Sequence, residues 1–181
     1  MRKNMKKTMT YCLMLLVAIA VASCKDKKKD DLIIVSKPAA EQKQETRSTG
    51  GMQQEKTVNW AGARYTVKLS LKADPTLDKA TDGVADYYDN RATLTILRPD
   101  GTTFLERSFT KADFKNYIDN AYYKDGALLA IVFDKVEAGN LKFAVTVGNP
   151  DKASDEFVPL ELSVSPTGGV TIKKIEDVDE E

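Results

Sequence analysis

Hydrophobic and polar positions alternate along most of the chain after residue 60. Tyr65, Val67, Leu69 and Leu71 are separated by Arg64, Thr66, Lys68, Ser70 and Lys72. That period of two sets one face of a strand on a core and the other in water. Arg91 to Arg98 encloses Ala-Thr-Leu-Thr-Ile-Leu, and Pro99-Asp-Gly101 then turns it into Thr102 to Phe109, which predicts a hairpin. Ala127-Leu-Leu-Ala-Ile-Val-Phe133 is apolar throughout and predicts a central strand covered on both faces. Ala138-Gly-Asn140 leads from it into Leu141, Phe143, Val145 and Val147, which alternate with Lys142 and Thr146. Val158, Leu160, Leu162 and Val164 form a further strand that meets Val170-Thr-Ile172 across Pro166-Thr-Gly-Gly169. Pro159 has no N–H to give to a ladder, so it predicts an edge or a bulge for that strand.

One segment departs from this period. Thr110-Lys-Ala-Asp113 is a capping box with Asp in place of Glu, and Phe109 and Phe114 take the two staple positions around it. With Phe114, Tyr117 and Ile118 at helical spacing, the segment predicts one helix of about two to three turns on or plugging the sheet. The fold class expected is mainly β: an antiparallel β-sandwich or partly open barrel of about seven strands with one short helix.

The N-terminal quarter has a different pattern. Arg2, Lys3, Lys6 and Lys7 precede the apolar run Leu13 to Ala22, which ends at Ser23-Cys24. Charged start, short apolar stretch and small residues before a processing point are the layout of a secretory signal, and the run is too short for a membrane span. Val21-Ala-Ser-Cys24 resembles the lipobox of bacterial lipoproteins. The resemblance implies cleavage before Cys24, a diacylglyceryl thioether on its sulfur and acylation of the new amino terminus. Two or three acyl chains anchor a protein firmly where one does not. Lys25 directly after the cysteine favours the outer membrane in lipoproteins of enteric type. Asp30 and Asp31 bear on the export signal of Bacteroidota lipoproteins, and the periplasmic and surface-facing sides both stay open.

Three regions follow: residues 1–23 as signal peptide, 24–56 as a lipid-anchored tether, and 57–181 as one β-rich domain ending in the acidic tail Glu176 to Glu181. The tether is rich in Gln, Glu, Lys, Ser and Gly and cannot bury enough apolar surface to offset ordering entropy. It spans on the order of 30 Å as a coil and up to roughly 100 Å extended. Leu32-Ile-Ile-Val35 interrupts it, and docking as an edge strand and lying on the membrane surface are both open. Trp60, directly after the tether, is expected to seat the first strand.

Composition narrows the function. Basic and acidic residues number 27 each, and loss of residues 1–23 removes four basic and no acidic ones, leaving −4. No basic stripe remains for nucleic acid. The chain has no histidine, and its two cysteines are Cys12, inside the signal, and Cys24. Histidine-based catalysis, histidine metal sites, a free thiol nucleophile and an internal disulfide are all excluded for the mature chain. No G-x-x-x-x-G-K occurs, and no cofactor is expected. A carboxylate enzyme is the remaining catalytic possibility.

Carboxylates concentrate between the first two strands. Asp74, Asp78, Asp82, Asp86 and Asp89 lie there with Tyr87 and Tyr88. Asp82, Asp86, Tyr87, Tyr88 and Asp89 are the candidate ligand contacts, suited to stacking on a sugar or to holding calcium. The spacing does not match a calcium loop, and the plainer expectation is a solvated loop whose Asp residues cap turns. Such a loop would tolerate neutralisation of Asp82, Asp86 and Asp89 together. Tyr122-Tyr123 is expected in an extended segment with one ring in the core. Asp134 is a candidate buried carboxylate, paired with Lys135 or a turn amide.

A resemblance covers nearly all of the expected domain. Tyr87-Tyr-Asp-Asn-Arg-Ala-Thr-Leu-Thr95, Phe109-Thr-Lys-Ala-Asp-Phe114 and Ile131-Val-Phe-Asp-Lys135 occur in order with Val147-Gly-Asn-Pro150 and Ser154-Asp-Glu-Phe-Val-Pro159. Together they resemble a family of uncharacterised Bacteroidota lipoproteins, a domain of unknown function. The resemblance implies an envelope location and assigns no catalytic residue. The expected function is therefore a lipid-anchored cell-envelope protein, a non-catalytic binding or scaffolding module for a protein or glycan partner. The alternative is a carboxylate-based hydrolase of an envelope or dietary polysaccharide.

Overall fold

The alternating segments pair into two four-stranded sheets that face each other across one apolar core. The computed structural model describes residues 45–175. The expected signal segment 1–23, Cys24, the expected tether as far as residue 44 with Leu32–Val35, and the tail 176–181 lie outside the described residues.

Eleven strands occur in chain order: β1 (Arg47–Ser48), β2 (Met52–Trp60), β3 (Ala63–Ala73), β4 (Ala80–Thr81), β5 (Asp86–Tyr88), β6 (Asn90–Leu97), β7 (Thr103–Phe109), β8 (Ala127–Glu137), β9 (Asn140–Gly148), β10 (Phe157–Val164) and β11 (Val170–Lys174). One sheet runs β2-β3-β6-β7 and the other β11-β10-β9-β8, both antiparallel. A small third sheet runs β1-β5-β4, with β1 parallel to β5. Neither large sheet closes on itself, so the architecture is the sandwich and not the barrel.

The periodicity explains the core. Val67, Leu69 and Leu71 of β3 and Leu94 and Ile96 of β6 meet Phe143, Val145, Leu160 and Leu162 of the second sheet. Each such side chain contributes about 1.5–3 kcal/mol when fully buried. The seven expected strands are all present as β3 and β6 to β11. The additional strands are β1, β2, β4 and β5.

Strand β2 corrects the tether boundary at Lys56, because Met52–Lys56 pairs with Val67–Leu71 of β3. Gln54 is half-buried and Lys56 exposed on the side of the strand that carries Met52 and Val58, and both were legible only as tether. The Gln54 side chain accepts a hydrogen bond from the Phe133 N–H at 2.8 Å, and Lys56 Nζ sits 5.7 Å from the Phe133 ring centre. Trp60 ends β2 rather than starting a strand. Its indole donates to the Gly139 carbonyl at 2.8 Å, joining the Ala61-Gly62 and Ala138-Gly139 hairpin tips. All four tip residues have φ between 48° and 78°, the sense a type I′ turn requires.

Strand β8 is apolar on both faces yet lies at an edge of its sheet, not at the centre. Its Leu128, Ile131 and Phe133 join the main core, while Ala127 and Leu129 pack with Ala80, Ala85 and Tyr87 of the small sheet and its turn. The small sheet supplies the second cover. Pro159 lies in β10, which has neighbours on both sides, but β11 pairing begins only at Leu160. The Ile175 N–H donates to the Pro159 carbonyl at 3.3 Å. The missing N–H therefore faces the same side, where β11 runs out.

The helix divides in two. A 3-10 helix spans Lys111–Tyr117, the chain is extended at Ile118, and a short α-helix, α1, spans Asn120–Asp125. Thr110 N–H donates to Asp113 Oδ2 at 2.8 Å, and Phe109 and Phe114 are fully buried with rings 6.2 Å apart, so the capping box and staple form. Asn116, Asp119 and Asn120 favour local bonding over helix continuation. Tyr122 and Tyr123 thus sit in a helix and not in an extended segment: Tyr122 reaches the core, and Lys115 Nζ lies 4.8 Å from the Tyr123 ring. Asp134 is exposed, and Lys135 pairs with Glu137 at 2.8 Å instead. Among the described residues no helix is long and apolar enough to cross a membrane.

Candidate functional site

The polar stretch from Asp74 to Asn90 is held by its own carboxylates. Asp74 accepts the Thr76 N–H and hydroxyl on one oxygen and Arg91 Nε at 2.7 Å on the other. The Thr76 bonds first and the guanidinium next hold its pKa down at about 2. Asp82 Oδ1 accepts from the Val84 and Ala85 amides, both at 2.7 Å, and Oδ2 accepts from the Tyr87 hydroxyl at 2.8 Å. The Ala85 and Val84 amides lower the Asp82 pKa, and the bond to Asp82 raises that of Tyr87. Arg47 Nη1 donates to the same hydroxyl at 3.4 Å and fixes β1 on β5.

Of the five candidate contacts, Asp82 and Tyr87 are therefore brought together, as parts of a turn. Asp86 is exposed and pairs with Lys79 at 3.2 Å, and Tyr88 is half-buried opposite Ser48 in the small sheet. Asp89 turns the other way, into the protein.

Asp89 and Lys111 form a buried ion pair, 3.6 Å apart, with side chains 4% and 8% exposed. Asp89 Oδ1 accepts from the Asn90 amide at 2.7 Å and from the Leu128 amide at 2.8 Å. The Asn90 side chain donates to the Leu128 carbonyl at 2.8 Å and to Thr49 at 2.6 Å. Together these side chains seal the open edge of β8 at Leu128, which would otherwise be free to pair with another strand. Asn90 Oδ1 is buried with no donor among the described residues. Lys111 Nζ donates to the Gly126 carbonyl. A Cβ at Gly126 would stand 2.7 Å from the Tyr122 carbonyl oxygen and 2.8 Å from that of Gly148, so only glycine allows this approach.

A cleft of about 280 Å³ opens above the pair, lined by Leu77, Asp78, Asp89, Lys111, Tyr123 and Lys124 among others. Asp89 Oδ2 has no hydrogen-bond donor among the described residues, only the ammonium at 3.6 Å. Sequence reasoning found Asp89 but missed Lys111 and Asn90. The one hint was a lysine in the first turn of a capped helix, where the backbone dipole disfavours a cation.

Two other clusters carry less chemistry. Lys142 Nζ lies 2.9 Å from Ser163 Oγ and 2.6 Å from Glu161 Oε1. A serine–lysine nucleophile needs the lysine free to take the serine proton, whereas here the Lys142 ammonium is bonded to Glu161, whose pKa is lowered chiefly by that bond. A larger cleft of about 520 Å³ is lined by Asp82, Asp125 and Glu156, but Asp82 is already engaged in its turn. Among the described residues no three carboxylate or thiol groups converge as a metal centre requires.

No curated protein matches the chain. A family model does match, over residues 33–172. That span takes in all of the cleft, the small sheet and both faces of the sandwich core, and by it the chain belongs to the family described as Domain of unknown function (DUF4738).

Proposed function

We propose that this protein is a lipid-anchored cell-envelope protein of Bacteroidota type whose β-sandwich is a non-catalytic binding or scaffolding module. Support for the anchor comes from the signal-like run that ends at Ser23-Cys24, and from Lys25 for the outer membrane. The observation that carries the non-catalytic reading is the use made of the loop carboxylates. Asp74 and Asp82 spend both oxygens on backbone and side-chain donors of their own turns. Asp89 is ringed by an ammonium and two amides.

A glycosidase needs two carboxyls flanking a bond, one of them kept protonated. Asp78 and Asp89 do line one cleft, so the hydrolase reading has a definite test. The purified full chain is expected to turn over no member of a panel of polysaccharides and peptidoglycan. Turnover that vanishes in Asp78→Asn overturns the binding-module reading. For the anchor, wild type is expected to incorporate radiolabelled palmitate and Cys24→Ala to leave the membrane fraction unlabelled. Absence of label from the wild type, with unchanged membrane association of the variant, overturns it.

A further inference from the structure

We infer that the cleft above Asp89 and Lys111 binds a single neutral sugar ring, an inference that rests on the binding-module reading. The first ground is size. About 280 Å³ is just below the roughly 300 Å³ at which ligand pockets begin, and suits one ring rather than a chain. The second is charge. Asp78 and Asp89 are matched by Lys111 and Lys124, so the lining is formally neutral. An anion would meet two carboxylates there and a cation two ammonium groups.

The third ground is the pattern of open valences at the floor. Asp89 Oδ2 faces only the Lys111 ammonium, at 3.6 Å, and has room for a donor. The ammonium has three N–H groups. The Gly126 carbonyl takes one and Asp89 faces another, so one remains for an acceptor. A hydroxyl both donates and accepts, and two neighbouring hydroxyls on a ring would serve the carboxylate and the ammonium together. An apolar ligand would cover these groups without replacing the water they bind, and would leave them unpaired. The walls fit the rest of the ring. Leu77 and Tyr123 line the cleft and supply apolar surface, and Lys115 Nζ lies 4.8 Å from the Tyr123 ring centre. Both buried groups are fixed before any ligand arrives, because Asp89 Oδ1 and the Gly126 carbonyl tie them to β8 and α1. Such preorganisation lowers the entropic cost of binding.

The test is saturation-transfer NMR on the full chain in a sugar-free detergent. The probes are methyl glycosides of glucose, galactose, mannose and N-acetylglucosamine, with phosphate and ethylammonium as charged controls. At least one glycoside is expected to bind saturably. Tyr123→Ala and Asp78→Asn, both outside the buried pair, are each expected to weaken it at least tenfold without moving the unfolding midpoint. No saturable binding by any glycoside, binding untouched by both variants, or preference for a charged control overturns the inference and leaves the binding-module reading standing. Turnover of a polymer by the same preparation is the separate result that overturns that reading.

Discussion

At the scale of single residues, the loop between β3 and β6 is organised by carboxylates that act as acceptors. Asp74 shows the consequence most simply. Its folded pKa of about 2 lies below the ordinary 3.8, so the folded state holds the ionised form more tightly than the unfolded chain does. The stabilisation is complete above 3.8 and is lost as the pH falls from there towards 2. Denaturant midpoints measured across that window should fall in the wild type and fall less in Asp74→Asn. Equal slopes would mean that the Thr76 and Arg91 bonds do not persist in solution. Asp82 argues the same way against a loose loop. Its three bonds mean that neutralising Asp82, Asp86 and Asp89 together removes supports of the fold and not surface charge alone.

At the scale of elements, the legible parts of the chain were those where one face is buried and the other wet. Leu69 and Leu71 against Lys68 and Ser70 leave no other reading, and the strands with that signal all formed. Strand β2 was illegible because it sits at an edge, where polar Gln54 and exposed Lys56 reach Phe133 through an amide bond and a ring contact. Strands β1, β4 and β5 are two or three residues long and carry no period at all. In β8 the apolar run is covered on both faces, but the cover on one face is a small sheet and not a flanking strand. For the site, Asp89 was visible as a residue type. Its partner Lys111 was not, because a lysine next to a helix cap is ordinarily solvated. The staple Phe109–Phe114 was visible in full, and both rings are completely buried. Phe114→Ala is expected to cost about 3–5 kcal/mol in denaturant unfolding, as aromatic truncations in cores do. A loss below about 1 kcal/mol would mean that the 3-10 helix does not pack on the sandwich.

For the molecule as a whole, the domain is longer at its N-terminal side than alternation alone suggests. β2 adds Met52–Lys56 to the first sheet, β1 adds Arg47–Ser48, and the family match begins at residue 33. A chain starting at Thr57 loses half of an edge strand and the Gln54 bond to β8. It should melt well below one starting at Glu45, and equal melting temperatures would restore the shorter boundary. In the function proposed above, the buried carboxylate Asp89 belongs to the scaffold of a binding module and performs no chemistry. Catalytic groups are commonly held at a cost to stability, so replacing one leaves stability unchanged or raises it. Removing one partner of a buried ion pair instead costs about 3–5 kcal/mol. The direct measurement is the unfolding free energy of Asp89→Asn against wild type. A loss in that range is predicted, because Lys111 is left buried beside a neutral amide and the Leu128 edge loses part of its seal. Stability equal to or above the wild type would contradict a scaffold role for Asp89.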